Sequence, residues 1–322
     1  MRVIFAGSPA IAVPSLEALC REEGIELAAV LTGPDSPRGR SGRPQPSETG
    51  EAAEKILKEF EMKGKPSFAV MKPLKLDSAI REQVKELKPD LLVSFAYGRF
   101  FGPKFMDLFP LGGINIHPSL LPKYRGPAPI QAAILNRDSV TGITVQTLEK
   151  EMDSGDILAQ EQFQLTGKET SGSLTEIMAK KAPAILAGVL KEIASSSVRR
   201  KAQNHSEAGY CSLVKREDGL IDWNRSAAEI EAEIRAFDPW PLCRTIHKGR
   251  ELLLLKASVY KNGTIRGEPG IVLGIDKQEG ILVQTGEGIL AVRELQYQAK
   301  KALVWQDFLN GSRDFAGSKL GS

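Results

Sequence analysis

One segment, GINIHPSLLP at residues 113–122, carries the main indication of both the architecture and the chemistry. Its start reads as a short aliphatic strand, Gly113–His117, in which Asn115 and His117 are two residues apart and therefore point to the same face. His117 ends the strand, and open parallel sheets bind ligands beyond the carboxyl ends of their strands. An amide donor and an imidazole placed there suit a reaction that develops negative charge on an oxygen.

Similar strand patterns alternate with helical ones through the first two-thirds of the chain. The predicted strands are Arg2–Ala6, Glu26–Thr32, Asp90–Ala96, Gly113–His117 and Gly142–Leu148. Between two of them, Asp77 is expected to cap a helix whose apolar positions follow helical spacing. This alternation predicts an α/β fold with a mostly parallel sheet covered by helices on both faces.

The pattern changes after a long helical stretch that ends near Ser195. Ser226 and Glu229 have the spacing of a capping box that opens one more helix. The chain then becomes rich in short strands with glycine turns, predicted at Glu251–Val259, Gly270–Ile275, Gly280–Gln284 and Ile289–Leu295. We therefore predict a catalytic domain over 1–195, a linker over 196–209 and a smaller β-rich, OB-like barrel over 210–322.

Bulk composition restricts the class of protein. The 322 residues are 42% hydrophobic and 26% charged, which is typical of a soluble globular protein. The net charge is only +3, so any binding of a polyanion has to come from local clusters of charge. Cys20, Cys211 and Cys243 form no close pair, and no signal peptide or membrane span is evident, so we expect a cytoplasmic protein.

Several common catalytic sites are excluded by the sequence. The first strand is not followed by G-x-G-x-x-G, and neither a Walker A motif nor a G-x-S-x-G elbow occurs. His117, His205 and His247 are too scattered to build a metal site by themselves. The chemistry is therefore expected to use no metal, nicotinamide or serine nucleophile. Taken alone, however, His117 could be a structural histidine and Asp153 an ordinary turn residue.

The string from His117 to Ile130, HPSLLPKYRGPAPI, resembles the SLLP signature of folate-dependent formyltransferases. Members of that family carry Asn-x-His before the signature and an aspartate in a D-[ST]-G-D setting after it. Asn115, His117 and Asp153 match these catalytic positions one by one. The resemblance implies a Rossmann-like formyltransferase domain and 10-formyltetrahydrofolate as formyl donor. It also implies folate contacts by Tyr97, Ser119, Leu120, Leu121 and Pro122.

A basic loop at residues 34–43 is similar to the insertion with which the tRNA-dependent branch of this family engages the acceptor stem. The resemblance implies tRNA contacts by Arg38, Arg40 and Arg43, although the branch usually has Gly-Lys-Lys where this chain has Ser-Gly-Arg. Lys123 and Arg125 are expected at the mouth of the site, and residues 199–201 along the phosphate backbone. A solvated, flexible basic loop is the alternative.

The rear of the chain, at residues 221–223 and 235–241, resembles the C-terminal domain of the same family. That domain is implied to bind tRNA, and Trp240, between two prolines, is expected in the core. The resemblance as a whole implies formyl transfer to the amino group of methionyl initiator tRNA, for translation initiation, by a monomer that is not bound to a membrane. A formyltransferase for an amino-sugar nucleotide and a tRNA-binding module with an inactive catalytic domain remain alternatives.

Overall fold

The computed structural model describes residues 1–37, 42–261, 267–312 and 314–321. The chain forms two compact units. The first contains Met1–Pro129, Val140–Phe163 and Thr175–Cys211, and the second contains Ile130–Ser139, Gln164–Leu174 and Ser212–Ser322. Residues 196–209, predicted as a linker, group with the first unit, and the domain boundaries set from composition stay a prediction.

Up to residue 211 the chain alternates strands and helices. The strands are β1 (Arg2–Gly7), β2 (Glu26–Leu31), β3 (Ser36–Pro37), β4 (Pro44–Gln45), β5 (Ala69–Met71), β6 (Leu91–Phe95), β7 (Gly113–His117), β8 (Val140–Thr147) and β9 (Ile157–Gln164). The helices are α1 (Val13–Leu19), α2 (Glu48–Met62), α3 (Ser78–Glu86), α4 (Pro103–Met106), α5 (Pro129–Leu135) and α6 (Ser171–Ala194). The Asp77 side chain accepts a hydrogen bond from the Ile80 amide, so the predicted cap of α3 is confirmed.

The main sheet has seven strands in the order β5-β2-β1-β6-β7-β8-β9. The neighbours from β5 to β7 pair in parallel, whereas β8 runs antiparallel to β7. β1 is buried almost throughout, as expected for a central strand covered on both faces. Ile4 of β1 shares a cluster with Val84 of α3 and Phe105 of α4, so these helices cover one face. The predicted mostly parallel α/β sheet is confirmed.

The second unit has a separate antiparallel sheet. Its strands are β10 (Cys243–His247), β11 (Arg250–Val259), β12 (Val272–Asp276), β13 (Gly280–Gln284), β14 (Ile289–Tyr297) and β15 (Leu303–Val304), with helices α7 (Ala227–Ala236) and α8 (Trp305–Asn310). The order is β10-β11-β14-β13-β12, and β15 pairs with β14. The amide of Gly321 donates to Ile246 of β10, and that of Val272 of β12 donates to Ser318. The terminal segment thus joins the two edge strands, as a small barrel requires.

Two local predictions in the second unit have different outcomes. Ser226 and Glu229 bond reciprocally at the start of α7, so the capping box is confirmed. Trp240 is 56% exposed, and its predicted place in the core is wrong. Trp223 occupies a buried position instead and donates from its indole to Thr245 at 3.0 Å. Among the described residues, no helix has the length and apolarity to cross a membrane.

Candidate active site

β7 and β8 place the first functional side chains on one face of the sheet. In the antiparallel ladder, Asn115 lies opposite Gln146 and His117 lies opposite Thr144. Directly opposed residues project to the same side, so all four side chains point into the same region. The strand spacing predicted this arrangement for Asn115 and His117, and the pairing adds Gln146 and Thr144.

Asp153 enters this region from a loop that follows β8 and folds back on its end. The Thr147 amide donates to the Asp156 carbonyl at 2.9 Å, and the Asp156 amide donates to the Thr147 hydroxyl at 2.9 Å. A Cβ on Gly155 would lie 1.9 Å from the Thr147 carbonyl oxygen, so only glycine permits this close approach. Asp153 itself has a φ of 53°, in the left-handed region that aspartate tolerates better than most residues.

The three residues predicted as catalytic come together around the Asp153 carboxylate. Its Oδ1 lies 3.6 Å from His117 Nδ1 and 3.5 Å from Asn115 Nδ2. Gln146 Nε2 donates to the same oxygen at 2.9 Å, and the Gly126 amide donates to Oδ2 at 2.8 Å. The two shorter bonds hold the carboxylate in place, whereas its contacts with the amide and the imidazole are at the long limit of hydrogen-bond distances.

Gln146 and Gly126 were missed by sequence reasoning. Gln146 lies within the predicted strand, and its pairing opposite Asn115 could have been found only from the register of an antiparallel neighbour. Gly126 belongs to the signature string, but nothing in that string shows that its amide points at Asp153.

Burial controls the protonation of His117. The ring is 4% exposed, and its Nε2 lies 2.9 Å from the Tyr124 carbonyl oxygen. Burial lowers the pKa of His117, while the Asp153 carboxylate and the Tyr124 carbonyl act to raise it less strongly. The lowered pKa favours the neutral ring at pH 7, and its proton then lies on Nε2 because a carbonyl only accepts.

Backbone groups of the SLLP segment form hydrogen bonds with the side chain of Thr144 in β8. The Thr144 hydroxyl donates to the Ser119 carbonyl at 2.6 Å, and the Leu121 amide donates to that hydroxyl at 3.1 Å. Ser119 is fully buried and donates to the Lys123 carbonyl. Leu121 is also buried, whereas Leu120 and Pro122 are partly exposed. A contact with folate through this segment stays a prediction, for which the two partly exposed residues are best placed.

Tyr97, the other predicted folate contact, follows β6 and packs in the core. Its ring stacks on Phe101 with centroids 5.3 Å apart, and only 4% of the residue is exposed. Burial raises the pKa of Tyr97. The ring is thus part of the hydrophobic core next to the end of β6. Its contact with folate also stays a prediction.

The predicted basic residues fall into three groups. Arg38 and Arg40 lie outside the described residues. Arg43, Lys123 and residues 199–201 are exposed. Arg125 was expected at the mouth of the site, but it is 1% exposed, so that prediction is wrong. Its guanidinium is engaged by Gln203, His205 and Tyr210 instead.

Family models cover most of the chain. A model described as formyl transferase matches residues 1–190, and one described as formyl transferase, C-terminal domain matches residues 213–313. An α/β domain with an amide, an imidazole and a carboxylate around one sheet end, followed by a separate antiparallel β domain, fits that pair. The chain belongs to the formyl transferase family.

Relatives within this family match the full length of the chain. A protein of Treponema denticola named methionyl-tRNA formyltransferase is 48% identical, over 98% of both chains. A protein of Treponema pallidum with the same name is 42% identical, over 100% of this chain and 99% of its own. The similarity is thus to methionyl-tRNA formyltransferases across both units.

Solved structures share the fold at much lower identity. WlaRD, a sugar 3N-formyl transferase solved in the presence of dTDP and 5-N-formyl-THF, has a TM-score of 0.63 at 19% identity, covering 94% of this chain and 99% of its own. HypX from Aquifex aeolicus in complex with tetrahydrofolic acid has a TM-score of 0.61 at 17% identity, covering 98% of this chain and 48% of its own. These similarities establish the fold alone.

Proposed function

We propose that this chain transfers the formyl group of 10-formyltetrahydrofolate to the amino group of methionyl initiator tRNA. The product is N-formylmethionyl-tRNA for translation initiation in the cytoplasm. One observation carries the proposal: Asn115 and His117 lie within 3.6 Å of Asp153 at the carboxyl end of β7. The names of the full-length relatives support the acceptor, and the folates in the titles of two fold neighbours support the donor.

The reaction begins with attack by the neutral amine on the formyl carbon. A carbon–nitrogen bond forms, and the carbonyl π electrons move onto the formyl oxygen. Asn115 Nδ2 donates a hydrogen bond to that oxygen as its charge develops. Loss of a comparable oxyanion donor typically costs about 10²–10³ in rate.

His117 moves the proton that the transfer requires. Its neutral ring accepts the proton of the attacking nitrogen at Nδ1, and the Asp153 carboxylate 3.6 Å away stabilises the resulting imidazolium. The proton then passes to N10 of the folate as the bond between the formyl carbon and N10 breaks. Acid–base help of this kind is typically worth about 10²–10⁴ in rate. Because hydrogen bonds and the relay of one proton through His117 complete the reaction, the proposal includes no metal ion.

The substrates are assigned to surfaces around these residues. Folate contacts are proposed at Tyr97, Ser119, Leu120, Leu121 and Pro122, and tRNA contacts at Arg38, Arg40 and Arg43. Leu120 and Pro122 support the first assignment because they are partly exposed beside the buried His117. The exposed Arg43 supports the second, since phosphates attract accessible arginines. We propose that a monomer performs the reaction.

Incubation with 10-formyltetrahydrofolate and different acceptors tests the proposal. We expect formylated methionine after incubation with charged initiator tRNA, and none after ribonuclease treatment of that substrate. Formylation of an amino-sugar nucleotide without RNA would favour the alternative enzyme. Binding of tRNA without turnover would instead indicate a module with an inactive catalytic domain.

A further inference from the structure

A buried glutamine lies behind the Asp153 loop. Gln203 is 5% exposed, and its Nε2 lies 2.7 Å from the Gly155 carbonyl oxygen, 2.9 Å from that of Asp153 and 3.1 Å from Gln146 Oε1. One amide nitrogen with two hydrogens thus faces three acceptors. Two of these belong to the loop that carries the carboxylate.

Arg125 fixes the orientation of this glutamine. Its Nε and Nη2 donate to Gln203 Oε1 at 3.0 and 2.7 Å, and the guanidinium is 1% exposed. Arginine only donates and backbone carbonyls only accept, so Oε1 has to face Arg125 and Nε2 has to face the loop. The amide of Gln203 therefore has one satisfactory orientation.

The orientation of the Gln203 amide also determines that of the Gln146 amide. Because Gln146 Oε1 accepts from Gln203, its Nε2 is turned toward Asp153 Oδ1, to which it donates at 2.9 Å. Gln203 thus acts on Asp153 twice, once through the backbone carbonyl and once through the side chain of Gln146. The Asp153 backbone, at a φ of 53°, is costly to hold and depends on such contacts.

We propose that Gln203, oriented by Arg125, is a positioning residue that holds the Asp153 carboxylate beside His117 for formyl transfer. This inference rests on the proposed function, in which Asp153 stabilises the protonated ring. It assigns to the segment after α6 a direct part in the geometry of the active site. Gln203 itself lies behind the loop and contacts no reacting atom.

Two substitutions separate positioning from packing. Gln203→Met keeps the approximate volume of the side chain and removes the hydrogen bonds that the Gln203 amide group makes. Gln203→Glu keeps an acceptor for Arg125 but cannot donate to the Asp153 and Gly155 carbonyls. For both we expect kcat to fall roughly 10- to 100-fold with KM changed less than about 3-fold, since small misplacements of catalytic groups have effects of this order. Gln162→Met, the same substitution at an exposed position on β9, is the matched control and should keep the wild-type rate.

A double-mutant cycle with Asp153→Asn completes the test. If Gln203 acts through Asp153, Gln203→Met should cost less than about 2-fold in the Asp153→Asn background, because coupled residues are not additive. The inference would be overturned if Gln203→Met lowered kcat by a further 10- to 100-fold in the Asp153→Asn background. A wild-type kcat for Gln203→Glu would also overturn it. If Asp153→Asn reduces kcat and the Gln203 variants do not, only this inference fails. If Asp153→Asn itself leaves kcat unchanged, the proposed role of Asp153 fails.

Discussion

At the scale of single residues, the site depends on a competition between burial and charge at His117. Burial disfavours the imidazolium, and the Asp153 carboxylate at 3.6 Å favours it. Burial has the larger effect, so the resting ring is neutral and able to accept a proton. In the proposed mechanism, the carboxylate that Gln146 and Gly126 hold in place stabilises the imidazolium once it forms.

This competition predicts the titration of His117 in NMR spectra. Its pKa should lie below about 6.5, the usual value for histidine. In Asp153→Asn the pKa should fall further, because the charge that raises it is removed while burial remains. Asp107→Asn removes the same charge at an exposed position, serves as control and should leave the titration unchanged. A His117 pKa that rises in Asp153→Asn would contradict this account of the site.

The sequence predicted part of this site. The spacing of Asn115 and His117 placed them on one face, but only the resemblance to a known family singled out Asp153. Gln146, Gly126 and Gln203 carried no signal, because they meet Asp153 through space from separate parts of the chain. Burial was also hidden: Arg125 and Trp240 were each assigned the opposite of their observed exposure.

At the scale of elements, β8 and the loop after it determine where the Asp153 carboxylate lies. The loop returns to the end of β8 through hydrogen bonds between Thr147 and Asp156. Gly155 makes the return possible because a side chain there would meet the Thr147 carbonyl. The position of Asp153 therefore depends on a backbone contact between neighbouring elements.

Gly155→Ala tests this dependence. We expect a loss of about 1–3 kcal/mol in the free energy of unfolding, as for other overpacked sites, and a reduced kcat as Asp153 moves. Gly188→Ala is the matched control: it lies in α6, and its added Cβ has no neighbour within 4 Å. That control should gain roughly 0.5–1 kcal/mol, measured by denaturant unfolding, with kcat unchanged. Equal kcat values for the two variants would contradict the proposed role of the loop.

Element prediction from sequence succeeded where the pattern was periodic and bounded. β7 and β13 match their predicted limits, and the β8 prediction is displaced by a residue or two at each end. β10 and the barrel-closing segment at 317–321 were not predicted. β10 buries only alternate residues and includes arginine and histidine, so its apolar signal is weak. The closing segment is defined by hydrogen bonds to two distant strands, which no local pattern reveals.

At the scale of the whole molecule, the charge balance constrains how a polyanion can bind. With 43 basic and 40 acidic residues, the chain has no strong overall attraction for tRNA. Affinity must then depend on a few local contacts, each releasing counterions from the phosphate backbone. The proposed contacts are Arg38, Arg40 and Arg43.

The salt dependence of tRNA binding tests this view. The logarithm of the affinity should fall linearly with the logarithm of the salt concentration, and Arg40→Ala should reduce the slope by about 1. Lys85→Ala removes the same charge from an exposed position on α3 and should leave the slope unchanged. An affinity that is insensitive to salt would exclude phosphate contacts as its main source.

The most direct test of the central claim is the single-turnover rate of formyl transfer to charged initiator tRNA in three variants. Asn115→Ala, His117→Ala and Asp153→Ala should each slow transfer by about 10²-fold or more, while each still binds the folate donor. Retention of the wild-type rate by any one of them would contradict the claim that these three side chains act together on the formyl group.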